Sequence, residues 1–197
     1  MKIQDPKFNR EVFRKLRRRF DSERTPRELT FSCFNRYKFL NSDRTRQWFV
    51  EALSAERQSW PLDIWAWVLM PEHVHLLVAP HHPDVAVGKF EGKVKERVAR
   101  KAIRWLEAYA PEWIPKITVQ EGHRTRCRFW QPGGGYDRNI DQFDTLESVI
   151  GYFHMNPVRR GLVERPEDWE WSSARWYHGM RPVHLELDRT WPMLIEK

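Results

Sequence analysis

PLDIWAWVLMPEHVHLLVAP, residues 61–80, is the stretch whose reading decides the fold. Residues 61–70 are rich in Ile, Trp, Val and Leu without a helical period, which predicts a strand buried on both faces. Pro71-Glu72 makes a short connection, and residues 73–79 predict the next strand. Side chains along a strand alternate between faces, so His73 and His75 share one face and Val74 takes the other. Two imidazoles a few ångströms apart on one face can grip a cation. The plain alternative is a pair of half-exposed histidines on a sheet.

Outward from this pair, ELTFSCF (28–34) is rich in β-formers and predicts a first strand. Asn41-Ser42-Asp43 is a helix start, with Trp48, Phe49, Ala52 and Leu53 as the apolar stripe behind it. Residues 86–110 carry Phe90, Val94, Val98, Ala102, Trp105, Leu106 and Tyr109 at the spacing of one helical face. CRFWQP (127–132) predicts a fourth strand, with GGG after it as a turn. Asp144 and Glu147 have the spacing of a capping box that opens a helix through LESVIGYFHMN. Pro157 bounds that helix and Gly161 breaks the chain again. The order strand, helix, strand, strand, helix, strand, plus a further helix, fits an α+β fold: a ferredoxin-like split βαβ sandwich with an antiparallel sheet. The chain divides into a basic arm over 1–26 (partly helical at most), a main domain over 27–180 and a tail over 181–197.

Composition narrows the class. With 197 residues the chain can bury one sizeable core, and its formal net charge is +7. No apolar run approaches the ~20 residues of a membrane helix, and no apolar stretch follows the basic N-terminus as a secretory signal would. Cys33 and Cys127 are far apart and lack zinc-type spacing, so the expected setting is a reducing cytoplasm. Eight basic residues, among them Arg17, Arg18 and Arg19, crowd residues 1–19 against Asp5 and Glu11. Six more, including Lys93, Arg97, Arg100 and Lys101, lie in 92–104 against Glu96. Two such clusters point to a polyanion, and solvated faces are the alternative. Arg124, Arg126 and Arg128, beside His123, extend the candidate nucleic-acid contacts. Among the 11 tryptophans, Trp130, Trp169, Trp171 and Trp176 are candidates for base stacking, although core packing is the commoner use.

The second chemical motif is GYFHMNP, 151–157. On a helix Tyr152 and Asn156 are four apart and share a face. Asn156 offers an amide oxygen, and Tyr152 a phenol one turn away. Alternatively Tyr152 is a core-edge aromatic and Asn156 a helix-end residue before proline. Glu72, next to His73, could orient its imidazole, or be a loop acid. Tyr136 is a rival hydroxyl, but it follows a glycine turn and has no ligand one turn away. His154 is two residues from Tyr152 and so on another face.

WVLMPEHVHLLV taken with YFHMNPVRRGLV resembles the single-tyrosine HUH transposases, where U is a hydrophobic residue. The resemblance is closest to their REP-associated tyrosine transposase branch, with its Tyr-x-x-x-Asn-Pro helix. It runs from about residue 28 to about 176 and includes FWQP…YDR and DWEWSS; GGG at 133–135 is a departure. It implies a ferredoxin-like domain that cuts and rejoins single-stranded DNA, with hairpin-forming repeats as partner. By the same resemblance His73, His75 and Asn156 hold a divalent metal, and Tyr152 is the nucleophile. Mg²⁺ or Mn²⁺ is the expected ion, although imidazoles also accept Zn²⁺. The expected location is cytoplasmic, at the nucleoid, as a monomer or homodimer. The competing reading is a module that binds single-stranded nucleic acid without cutting it.

Overall fold

The computed structural model describes residues 2–5, 10–13, 25–188 and 190. Its elements in order are β1 (Lys2–Asp5), β2 (Arg10–Phe13), β3 (Arg27–Ser32), α1 (Asp43–Arg57), β4 (Leu62–Leu69), β5 (His73–Pro80) and α2 (Val87–Tyr109). Then follow α3 (Ile114–Ile117), β6 (Thr118–Glu121), β7 (Arg124–Cys127), β8 (Tyr136–Asn139), α4 (Phe143–Arg159) and α5 (Ala174–Tyr177). The main sheet has the order β4-β5-β3-β8, and all three of its pairings are antiparallel. This is the split βαβ arrangement: consecutive β4 and β5 form a hairpin, while β3 is inserted between β5 and β8.

Alternation along β5 sorts its side chains between two cores. Val74, Leu76 and Val78 face α1 and α2, whose Phe49, Leu53, Phe90, Val94 and Val98 complete one apolar cluster. Leu77 faces the other way, where Ala66, Val68 and Met70 meet Leu146, Val149, Ile150 and Phe153 of α4. Helices therefore cover both faces of the sheet. α1 starts where the sequence places it: Ser42 is the N-cap and its hydroxyl accepts from the Thr45 amide at 3.4 Å. α2 buries Phe90, Val94, Val98, Ala102 and Leu106, whereas Tyr109 at the far end is 72% exposed.

Three local expectations are corrected. Residues 127–132 do not form the fourth strand. Trp130 makes one isolated bridge to Cys33, and the fourth strand is β8. The polar segment YDRN of β8 carries no hydrophobic signal; ion pairs hold it instead, Arg27 to Asp137 at 2.7 Å and Arg138 to Glu28 at 2.7 Å. The capping box is absent, because α4 starts two residues earlier with Gln142 as N-cap, which puts Asp144 inside the first turn. Pro157 does not end α4, which continues to Arg159; in the last turn a proline removes only one amide donor. The tryptophans take the commoner of their two expected uses: Trp130, Trp171 and Trp176 are core residues, and Trp169 packs beside them with its indole N–H on the Leu69 carbonyl at 3.0 Å.

The ends of the chain also differ from the simple picture. Lys2–Asp5 and Arg10–Phe13 pair as an antiparallel hairpin rather than forming any helix, whereas Arg17, Arg18 and Arg19 lie outside the described residues. Leu185 and Leu187 join the core cluster on the α1/α2 side, and Asp188 holds Arg57 at 2.9 Å. Among the described residues no helix is long and apolar enough to cross a membrane.

Gly135 sits at φ +62°, where an added Cβ would meet the Thr30 carbonyl oxygen at 2.1 Å. Gly135→Ala is expected to cost about 2 kcal/mol or more and to lower Tm by about 4–8 °C. Gly92, in α2 with open space around it, is the control. Gly92→Ala should raise stability by about 0.5–1 kcal/mol, with both changes read from urea unfolding curves.

Candidate active site

The turn between β4 and β5 is suspended from the segment that follows β3. The Cys33 amide donates to the Glu72 carbonyl at 2.8 Å and the Leu40 amide to the Pro71 carbonyl at 2.9 Å. His73 and His75 leave this turn on the α4 face, 8% and 5% exposed. Their Nε2 atoms lie 3.1 Å apart and their ring centroids 4.8 Å apart.

Hydrogen bonds behind the rings set what those nitrogens present. His73 Nδ1 pairs with Glu72 Oε1 at 3.1 Å, and Arg160 donates to the same oxygen at 2.9 Å. A ring that donates Nδ1–H to a carboxylate presents a bare lone pair at Nε2. His75 Nδ1 shares a 2.7 Å hydrogen bond with the Thr30 hydroxyl, and in the tautomer that donates there its Nε2 is bare as well. Burial lowers the pKa of both imidazoles, that of His75 to about 3 with the neighbouring His73 adding to the effect. Burial opposes the charge of Glu72, yet its bonds to Arg160 and His73 hold its carboxyl below the usual range. The rings are therefore neutral at pH 7 and the carboxylate is charged.

Two facing lone pairs repel unless a cation or proton lies between them. Nitrogen ligands about 2.1 Å from one ion, at angles near 90–110°, sit about 3.0–3.4 Å apart, so the observed gap matches two ligands of one metal. Among the described residues no group of three or more His, Cys, Asp and Glu is placed to hold a metal. A third protein donor to an ion held there would be of another type. Asn156 is 8% exposed on the inner face of α4, and its Nδ2 donates to the Tyr152 carbonyl at 3.0 Å, which leaves Oδ1 outside that bond.

Tyr152 comes from the same helix and meets the same pair. Its ring centroid is 5.4 Å from that of His75, edge to face, and Phe153 stacks on His75 at 5.0 Å. Tyr152 is nonetheless 41% exposed, so its phenol is open to a partner. Arg159 lies over its ring at 5.4 Å. Tyr136 stands opposite Thr30 in register, one strand farther from His75. His154 is buried elsewhere, on the Ser173 hydroxyl at 2.9 Å and beside Tyr177, and burial lowers its pKa to about 4. Cys33, raised to about 12 by burial, stays a thiol.

The basic residues named from sequence are placed less centrally. Lys93, Arg97, Arg100 and Lys101 belong to α2, across the sheet from the histidines, and each holds a glutamate. Arg124, Arg126 and Arg128 lie on or just after β7 of the separate β6-β7 hairpin; Arg126 and Arg128 share Glu121. The site itself adds Thr30, Arg36, Arg159 and Arg160. Arg159 and Arg160 stand in the quoted PVRRG segment, whereas Thr30 and Arg36 reach His73 and His75 only through strand pairing and loop return.

The model of the IS200-like transposase family matches residues 26–133, more than half of the chain and including both histidines. The chain belongs to the IS200-like transposase family and is a transposase. Among solved structures it is similar to a REP-associated tyrosine transposase bound to a REP hairpin: TM-score 0.65, 19% identity, 94% of this chain and 98% of that one covered. A candidate transposase from Deinococcus radiodurans R1 aligns over 66% of this chain and 88% of that one, at 18% identity and TM-score 0.41. No curated protein matches the chain.

The neutral burial of His75 and His154 has a measurable consequence. Unfolded histidines take up protons below pH ~6.5, and these two do so in the folded chain only near 3 and 4. Their contribution is present above pH 6.5 and is lost as pH falls through that window, about 2 kcal/mol each at pH 5. Stability measured from pH 7 to 5 should fall, and His154→Gln should remove about one proton of the uptake on unfolding near pH 5.

Proposed function

We propose that this transposase is a metal-dependent single-stranded DNA endonuclease and strand transferase, acting at hairpin-forming DNA through a 5′-phosphotyrosine link. The observation that carries the reading is the convergence of two neutral, buried imidazole Nε2 atoms with an exposed phenol on one side of the sheet. The REP hairpin held by the similar transposase supports the substrate class.

In this reading His73, His75 and Asn156 hold a divalent ion, Mg²⁺ or Mn²⁺ by the expectation from sequence, with Glu72 orienting His73. Bound there, the ion would withdraw charge from a non-bridging oxygen of the scissile phosphate and orient it for in-line attack. Tyr152 Oη attacks phosphorus and becomes joined to the 5′ side of the cut. The bond to the 3′ oxygen breaks, and that oxygen leaves as a 3′-hydroxyl, the proton lost by the phenol balancing the one gained. The phosphodiester energy is kept in the tyrosyl ester, so a later 3′-hydroxyl can reverse the step on a new strand. Arg36, Arg159 and Arg160 border the site and supply charge for the approaching backbone.

With a labelled hairpin oligonucleotide and Mg²⁺ or Mn²⁺, the chain should form a covalent adduct that resists denaturation. Tyr152→Phe abolishes it and Tyr136→Phe does not. His73→Ala or His75→Ala abolishes cutting and leaves hairpin affinity within about threefold, as does chelation of the metal. Binding without an adduct under every divalent metal would instead establish a binding module.

Deleting residues 1–19 tests the basic arm. The truncated chain should bind hairpin DNA more weakly and with a shallower slope of log affinity against log salt, because fewer counterions are released. An unchanged slope would remove the arm from the interface.

A further inference from the structure

On the opposite side of the sheet, at the end where His73 stands, a cavity of about 280 Å³ opens between the start of α1 and the end of α2. Five aromatic side chains line it: Phe39, Trp48, Trp105, Trp113 and Phe129. They are braced by one another. Phe39 stacks on Phe129 at 5.1 Å, and Trp113 meets Phe39 edge-on at 5.4 Å. Lys38, Asn41 and Arg44, all exposed, stand at its rim. The Arg44 guanidinium already lies flat-partner distance from the indoles, 3.6 Å from the Trp105 centroid and 5.6 Å from that of Trp48.

Size, wall chemistry and charge converge on one occupant. The volume is just under the ~300–1,000 Å³ of sites for drug-sized molecules, so it admits one ring system rather than a stack. Aromatic walls bind the π-face of any base, and a guanidinium between them adds a further stacking plane. Lys38 and Arg44 have no acidic partner among the described residues, whereas Lys93, Arg97, Arg100 and Lys101 of neighbouring α2 are paired with three glutamates, Glu96 being shared by Lys93 and Arg100. Part of the positive charge left unpaired on this side of the sheet therefore stands at the cavity rim.

The cavity is also joined to the cutting site. Leu40, within its lining segment, is hydrogen-bonded to the Pro71 carbonyl two residues before His73. Lys38 and Arg44 flank Leu40 in sequence, so the segment that anchors the β4-β5 turn also carries the cations of the cavity rim. We propose that this cavity receives a single unpaired nucleobase of the bound strand, its phosphate on Lys38 and Arg44, and so fixes the distance between that base and the cut. The proposal extends the DNA-cutting reading above and gives that reading a second, base-sized anchor.

The test uses the full chain carrying Tyr152→Phe and a hairpin oligonucleotide with single-stranded extensions. 2-Aminopurine replaces one unpaired position at a time, and an abasic residue replaces the same positions in a second series. At one position 2-aminopurine fluorescence should be strongly quenched on binding, and the abasic residue there should weaken binding about tenfold. Trp105→Leu should abolish that quenching, and should cost little further affinity once the position is abasic. Arg44→Gln, an exposed change that spares the walls, should weaken binding of the intact strand severalfold. Equal quenching at all positions, or quenching unchanged in Trp105→Leu, overturns the cavity proposal while adduct formation by the Tyr152 chain still stands. A Tyr152 chain that forms no adduct yet shows the single quenched position overturns the cutting reading and leaves the base pocket supported.

Discussion

The structure depends on β5 being covered on both faces. A central strand with helices on either side has no solvated face for a polar side chain, and this one carries two imidazoles there. Packing of Phe153 on His75 and the start of the sheet around Glu72 keep water off the rings, which makes their neutral form the stable one. Burial would be costly if the nitrogens had nothing behind them. Glu72 and Thr30 occupy both Nδ1 atoms, so the remaining polarity is concentrated at the two Nε2 atoms and faces one point.

The two sides of the sheet divide the labour. α1 and α2 close the larger core, and most of the cations of α2 are matched by glutamates, as on an ordinary solvated helix face. α4 closes the smaller core and at the same time delivers Tyr152, Asn156, Arg159 and Arg160 to the histidine side. A helix bound to the sheet by Leu146, Val149, Ile150 and Phe153 fixes the height of its phenol against β5, because a slip of one turn would unpack the whole apolar face. Precision at the site is thus set by apolar packing a few residues away from it.

One loop couples these halves. The segment after β3 holds the β4-β5 turn at Cys33 and Leu40, then runs on to the rim of the aromatic cavity and the cap of α1. Gly135 allows β8 to approach β3 closely at Thr30, the same residue that bears on His75. Backbone constraints far apart in sequence therefore meet behind a single imidazole.

Much of this was legible in the residues themselves. Alternation in PLDIWAWVLMPEHVHLLVAP put both histidines on one face, and helical spacing in GYFHMNP did the same for Tyr152 and Asn156, because both are periodicities of local backbone geometry. Where local signal is weak the sequence is silent: polar β8 owes its place to ion pairs with β3, and the neighbours that bury Trp130, Trp171 and Trp176 appear in no short window. Arg36, Thr30 and the Trp48–Trp105 walls belong to their sites only through contacts between distant segments. The sequence by itself determined which side chains share a strand or helix face; only the tertiary structure decided which faces meet, because that choice is made by packing summed over the whole core.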